Sequence, residues 1–223
     1  MSAAADNLTR IRASIPEAVT LVAVSKFHPT EAIMDAYDAG QRNFGESRVQ
    51  ELSAKMPQLP ADIHWHFIGH LQTNKVRQLL RLHPALIESV DSERLLKAID
   101  TEAEKIGIIQ NVLMQVHVAQ EETKTGFHPD ELLAYFRDRR FENLRATHIC
   151  GIMGMATNTD DECRIRTDFD MIAATFREIR SVCPDLRGFE TVSMGMSDDY
   201  PTAIRCGSNM VRVGTAIFGA REY

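Results

Sequence analysis

The chain has 223 residues, 44% of them apolar and 25% charged, and carries a net charge of −6 at neutral pH. That length suits one domain with a sizeable core, and single α/β barrels commonly reach it. The acidic balance argues against non-specific partners such as nucleic acid or an anionic membrane, while a locally bound phosphate stays open, because backbone amides and helix N-termini hold anions on acidic proteins too.

Residues 19–27 form a nearly continuous apolar run rich in valine, the pattern of a strand buried on both faces. Residues 31–39 read as a helix closed by Gly40, residues 42–45 as a second strand and residues 48–56 as a helix. A third strand over 63–69 is followed by a helix over 74–82, and a fourth strand over 85–90 by a helix that Ser92 caps. That helix places Leu95, Leu96, Ile99, Ala103 and Ile106 at spacings of three and four. The second half repeats the rhythm: strand 111–118, helix 129–141, strand 146–153, a long helix over 161–182, strand 191–194, a short helix 200–205, strand 210–213 and a last turn at 215–218. Eight strands alternating with helices predict a single-domain (β/α)8 barrel over residues 1–223. An open doubly wound sheet is the alternative, but it needs a Gly-rich turn after its first strand, and Ser25–Lys26–Phe27–His28 is not one.

Cys150, Cys163, Cys183 and Cys206 are widely spaced, with no C-x-x-C pair, so reduced thiols are expected rather than a zinc cluster or a disulfide framework. The first twelve residues lack the basic and apolar regions of a signal peptide, and no apolar run reaches membrane-spanning length, so a cytoplasmic location is expected.

Polar groups and glycines collect at the C-terminal ends of the strands, where barrels place their ligands. Lys26 closes strand one after Leu21, Val22, Ala23 and Val24, so its stem starts in an apolar wall. A lysine held there loses hydration, which favours the neutral amine that attacks an aldehyde. The alternative is an ammonium that reaches solvent at the strand end. Lys75 and Lys124, in other loops, read as solvated charges. Ser193, Gly195 and Ser197 follow strand seven, and Gly214 and Thr215 follow strand eight. Adjacent loops at these positions can form a phosphate cup, and the alternative is two tight turns that use glycine for positive φ. Arg212 lies between Val211 and Val213 and needs a partner, either a carboxylate such as Glu190 or a ligand nitrogen. His64 and His66 alternate with Trp65 and Phe67, with no third ligand to make a metal site.

Together these segments resemble the pyridoxal phosphate homeostasis proteins, single-domain relatives of the N-terminal barrel of alanine racemase. The resemblance is carried by Ala23–Val24–Ser25–Lys26, Asn43–Phe44–Gly45–Glu46, the run from Trp65 to Lys75, Gly151–Ile152–Met153–Gly154–Met155, the run from Ser193 to Asp199, and the run from Val211 to Gly219. It implies pyridoxal 5′-phosphate (PLP) as cofactor, held as a Schiff base on Lys26. It also implies a phosphate cup of Ser193, Gly195, Gly214 and Thr215, Arg212 facing the pyridine nitrogen, and Asn43 and Met153 lining the pocket. The family usually shows Asn–Tyr after Phe–Gly–Glu, where this chain has Ser47–Arg48. That departure changes the side chains loop two offers.

A cation opposite the pyridine nitrogen disfavours its protonation and weakens the cofactor as an electron sink. A two-base racemase also needs a second acid/base opposite the lysine, which in alanine racemase is a tyrosine from a second domain of the partner subunit. The sequence here stops four residues after Gly219, so no such domain is expected. Of Tyr37, Tyr135, Tyr200 and Tyr223, only Tyr200 falls on the ligand face. The expected role is therefore buffering or delivery of PLP without robust catalysis, by a monomer whose clients are PLP-dependent apoenzymes. A small PLP-dependent racemase or lyase is the enzyme alternative, and a phosphate-sugar barrel without PLP is a third.

Overall fold

The computed structural model describes residues 2–121 and 125–220. In chain order the elements are α1 (Ala3–Ser14), β1 (Thr20–Val24), α2 (Thr30–Asp38), β2 (Asn43–Glu46), α3 (Val49–Lys55), β3 (His64–Phe67), α4 (Val76–Leu80), β4 (Leu86–Val90) and α5 (Glu93–Ile106). They continue with β5 (Gln110–Val116), α6 (Pro129–Arg137), β6 (Thr147–Gly154), α7 (Glu162–Val182), β7 (Thr191–Ser193), α8 (Tyr200–Arg205), β8 (Met210–Val213) and α9 (Thr215–Phe218). The eight strands are parallel, pair in sequence order and close, because β8 returns to β1 with Thr20 opposite Met210 and Ala23 opposite Val213. This is the (β/α)8 barrel the alternation predicts, and its closure excludes the open sheet.

Local chemistry sets the element ends. The Ser92 hydroxyl accepts the Leu95 N–H at 3.3 Å and caps α5, which stops at Gly107 in the left-handed region. Asp161 caps α7 in the same manner through the N–H groups of Cys163 and Arg164. Helix α6 ends at Arg137, short of the predicted residue 141, because Arg139 turns left-handed at φ 52° and a 3-10 turn follows. Strand β1 stops at Val24, three residues before the end of its apolar run, because residues 25–28 close a turn. Helix α1 was not expected. It is weakly amphipathic and buries only Ala5 and Leu8, so its sequence carries little periodic signal. Asn7 ties it to α9 through a 3.0 Å bond to the Ile217 carbonyl.

The core has two parts, as strand alternation requires. Between strands and helices lies the main layer, with Phe44, Phe67, Phe136 and Phe169 among its fully buried side chains. Inside the barrel, Val22, Leu86, Leu113, Met153 and Met210 form a separate apolar plug. The plug shares the interior with buried polar side chains that include His66, Glu88, Ser193 and Arg212.

Candidate cofactor-binding site

Lys26 stands in a four-residue turn just beyond β1, where the His28 N–H reaches the Ser25 carbonyl at 3.1 Å. The lysine is half-buried, and the next residue, Phe27, adopts φ 68°. For a non-glycine residue that conformation costs roughly 1–2 kcal/mol. The Arg48 guanidinium lies 4.8 Å over the Phe27 ring, so the departure at Ser47–Arg48 places a cation on the residue next to Lys26. His28 stacks on Phe218 of α9 at 5.1 Å, which joins this turn to the strand-eight loop.

The loops after β7 and β8 meet around one hydroxyl. Gly214 N–H and Ala216 N–H both donate to Ser197 Oγ, at 3.2 and 3.3 Å. Two backbone amides converging on one oxygen form a small anion-binding concavity. Gly195 needs its lack of a side chain, since it adopts φ 99° and a Cβ would fall 2.6 Å from that of Ala203 and 2.9 Å from the Tyr200 Cα. Gly214, by contrast, has φ −116°, and its smallness serves the close approach of the Val24 carbonyl instead. Thr215 is exposed in the first turn of α9. Burial pushes the Asp199 carboxyl above the ordinary carboxylate range, against the Met196 amide bond and the Arg212 charge.

Below this mouth, the interior polar groups form one chain. Arg212 donates to the Ser193 hydroxyl (2.6 Å), the Ser193 carbonyl (2.9 Å) and the Gly154 carbonyl (3.0 Å). Its carboxylate partner is Glu88, 3.7 Å away, and not Glu190. The Ser193 hydroxyl donates to Glu88 Oε2 at 2.6 Å, and Glu88 Oε1 shares a 2.7 Å hydrogen bond with His66 Nδ1. Burial alone would push Glu88 up, but His66, Arg212 and Ser193 outweigh it and hold the carboxyl below its ordinary value. Burial pulls the Arg212 guanidinium down, with Glu88 and Asp199 opposing.

The structure brings Lys26, Gly195, Arg212, Gly214 and Thr215 to the C-terminal side of the barrel. Three expected residues lie below the mouth. Ser193 is fully buried, accepts from Arg212 and donates to Glu88, whereas the hydroxyl that meets the Gly214 and Ala216 amides is that of Ser197. Asn43 opens β2 at the opposite end of the barrel, where it borders a surface cleft with Arg12, Thr20 and Gln41 while its Oδ1 lies 3.4 Å from His66 Nε2, at the foot of the interior polar chain. Met153 is sealed in the apolar plug, whereas Met155, two residues on, lines a cleft of about 480 Å³ with Met196 and Asp199. The side chains that sequence reasoning missed are Glu88, and Glu46, Glu51 and Lys55 beneath the Lys26 turn. A lone glutamate in the apolar strand 85–90 was the available signal for Glu88. Lys124 and Tyr223 lie outside the described residues.

A closed parallel barrel with a lysine turn, a two-amide cup and an interior arginine at one face defines a ligand-binding (β/α)8 protein. The chain belongs to the family described as alanine racemase, N-terminal domain, which matches residues 1–222, and within it to the pyridoxal phosphate homeostasis proteins. The relative of that name from Haemophilus influenzae is 40% identical over 210 residues, covering 92% of this chain and 86% of its own. The Escherichia coli protein of the same name is 36% identical, covering 100% of this chain and 99% of its own. The solved structure of PipY from Synechococcus elongatus with PLP bound superposes with a TM-score of 0.88 at 36% identity, covering 97% of this chain and 100% of that one. Alanine racemase from E. faecalis shares the fold, with a TM-score of 0.76 at 18% identity, and this barrel corresponds to 58% of that longer chain.

Proposed function

We propose that this chain holds PLP on Lys26 and serves PLP homeostasis in the cytoplasm, as a single-domain monomer that buffers the cofactor or delivers it to PLP-dependent apoenzymes. The carrying observation is the convergence on one barrel face of the Lys26 turn, the paired amides of Gly214 and Ala216, and the interior cation of Arg212. These groups fit the ligand. The amides converge on one oxygen and with Ser197 would hold a phosphate, and the buried Arg212 would supply a cation toward the ring. Bound PLP supplies an aldehyde, which a lysine amine holds covalently. Ser197 and the two amides would fix the phosphate, while the Glu88 chain keeps Arg212 in place. The pyridoxal phosphate homeostasis relatives and the PLP bound to PipY support the same reading.

The described tyrosines favour holding over turnover. The Tyr200 hydroxyl bonds Ser14 of α1 at 2.9 Å, outside the barrel. Tyr37 is bound to Asp62 at 2.6 Å, and Tyr135 is buried in α6. A two-base racemase needs a proton carrier facing the lysine across the ligand, and none of these three hydroxyls is placed for it. Absorbance spectra of wild type and Lys26→Ala after addition of PLP test the proposal. Wild type is expected to develop the visible band of lysine-bound PLP, and the variant is not. Absence of a band in wild type overturns the reading, and a band that survives in the variant moves the bond to Lys75 or Lys124. Steady turnover of an amino acid that Lys26→Ala abolishes would restore the enzyme alternative.

A further inference from the structure

The turn that carries Lys26 is gripped from beneath by a buried ion network. Strand β2 ends in Glu46, a fully buried carboxylate, and α3 presents Glu51 and Lys55 four residues apart on one face. The Lys55 ammonium donates to Glu46 Oε1 (2.7 Å), Glu51 Oε1 (2.7 Å) and the Ser25 carbonyl (2.9 Å), which uses all three of its donors. Glu46 Oε1 also accepts the Ser25 hydroxyl at 2.6 Å, and Glu51 Oε1 accepts the Phe27 N–H at 2.6 Å. The backbone is thus tied on both sides of Lys26, at Ser25 and at Phe27.

Phe27 is the residue that needs tying. It occupies the third position of the 25–28 turn with φ 68°, where a type II turn favours glycine. Released from Glu51, a phenylalanine relaxes toward negative φ, and that rotation swings the Lys26 side chain. Covalent capture joins Lys26 Nζ to the aldehyde carbon with loss of water, and it requires the amine in register with a ligand already fixed by its phosphate. We propose that Glu51 is a positioning residue for Lys26. Its carboxylate holds Phe27 left-handed and so aims the lysine at the cup. This rests on the reading of Lys26 given above.

The test titrates wild type, Lys26→Ala, Glu51→Ala and Glu51→Gln with PLP, followed by the visible band, and with pyridoxine 5′-phosphate, which has the phosphate and ring but no aldehyde. Glu51→Ala is expected to weaken PLP capture about tenfold, the equilibrium equivalent of holding one non-glycine residue left-handed, and to bind pyridoxine 5′-phosphate with affinity close to that of wild type. A glutamine keeps an acceptor for the Phe27 N–H, so Glu51→Gln recovers most of the loss. Phe27→Asn in the Glu51→Ala background recovers part of it, since asparagine tolerates the left-handed region. Undiminished capture by Glu51→Ala overturns the proposal, as does equal loss of both ligands or a glutamine variant as poor as the alanine one. Should Glu51→Ala melt below the assay temperature, hydrogen exchange at the Phe27 amide of wild type decides, with unprotected exchange overturning the proposal. A missing band in wild type, or a band retained by Lys26→Ala, sinks the Lys26 reading instead.

Discussion

Glu88 is where the interior electrostatics of the barrel are decided. It is fully buried, and it answers the charge of Arg212, itself 4% exposed. Removing one partner of a buried pair leaves an uncompensated charge, at a cost of about 3–5 kcal/mol. Glu88→Gln should therefore lose about 3 kcal/mol at neutral pH, measured by denaturant unfolding. The sign of the pH dependence follows from the direction of its shift. The folded carboxyl titrates below the ordinary value of 4.5, so the stability it confers is complete above that pH and is lost as pH falls through the folded value. The gap between wild type and Glu88→Gln should close as pH falls below the ordinary carboxylate value and through the folded one; a gap undiminished once Glu88 is protonated contradicts this account. The two serines separate in the same terms. Ser193→Ala removes a buried donor to Glu88 and should cost about 1–3 kcal/mol of stability. Ser197→Ala, half-buried at the mouth, should leave stability near wild type and weaken PLP binding several-fold. Both effects are read by paired unfolding curves and PLP titrations. The sequence marks Arg212 as a charge in an apolar strand, yet it cannot name Glu88 as the partner. Strands four and eight face each other only once the sheet has closed.

At the scale of elements, the boundaries follow capping and turn chemistry. Ser92 is legible as a cap because a polar residue with an oxygen acceptor precedes an amphipathic run, and its bond to Leu95 satisfies one of four orphan N–H groups. Ser92→Ala should cost about 1 kcal/mol and lower the melting temperature by about 2–4 °C for a domain of this size, as calorimetry would show. The end of β1 is less legible. Residues 19–27 read as one strand, because Ser25 and Lys26 fall within an apolar run and Phe27 has strong strand propensity. What ends the strand is tertiary: Glu51, twenty-four residues away, accepts the Phe27 amide. Glu51 and Lys55 themselves read as an ordinary i,i+4 surface pair of a short helix. Only the docking of α3 under the β1 turn reveals Lys55 as buried and Glu51 as partly buried, so this part of the candidate site is invisible to periodicity.

The whole barrel was legible because it is built from a repeated local rule. Valine-rich runs alternate with amphipathic stretches, and a parallel sheet covered by helices is what such a chain can bury. Period-two alternation also divides inward from outward side chains, but it does not say how far up the barrel each inward residue stands. That is why Asn43 and Met153, correctly placed on their strands, sit below the mouth and Met155 reaches it. Height along the axis depends on strand tilt and stagger, which closure sets. PLP held as proposed would touch the turn after β1 and the loops after β7 and β8, and β1 pairs with β8 at the seam where the cylinder closes. Binding should therefore stabilise the whole fold rather than one loop. Saturation at about one hundred times the dissociation constant adds about 2.7 kcal/mol, or roughly 5–10 °C in melting temperature for a chain of this length. Thermal unfolding of wild type with and without PLP should show that rise, and Lys26→Ala should show clearly less because it retains only the phosphate and ring contacts. An equal rise in both proteins would mean that the cup alone accounts for the affinity and that the covalent bond contributes little to it.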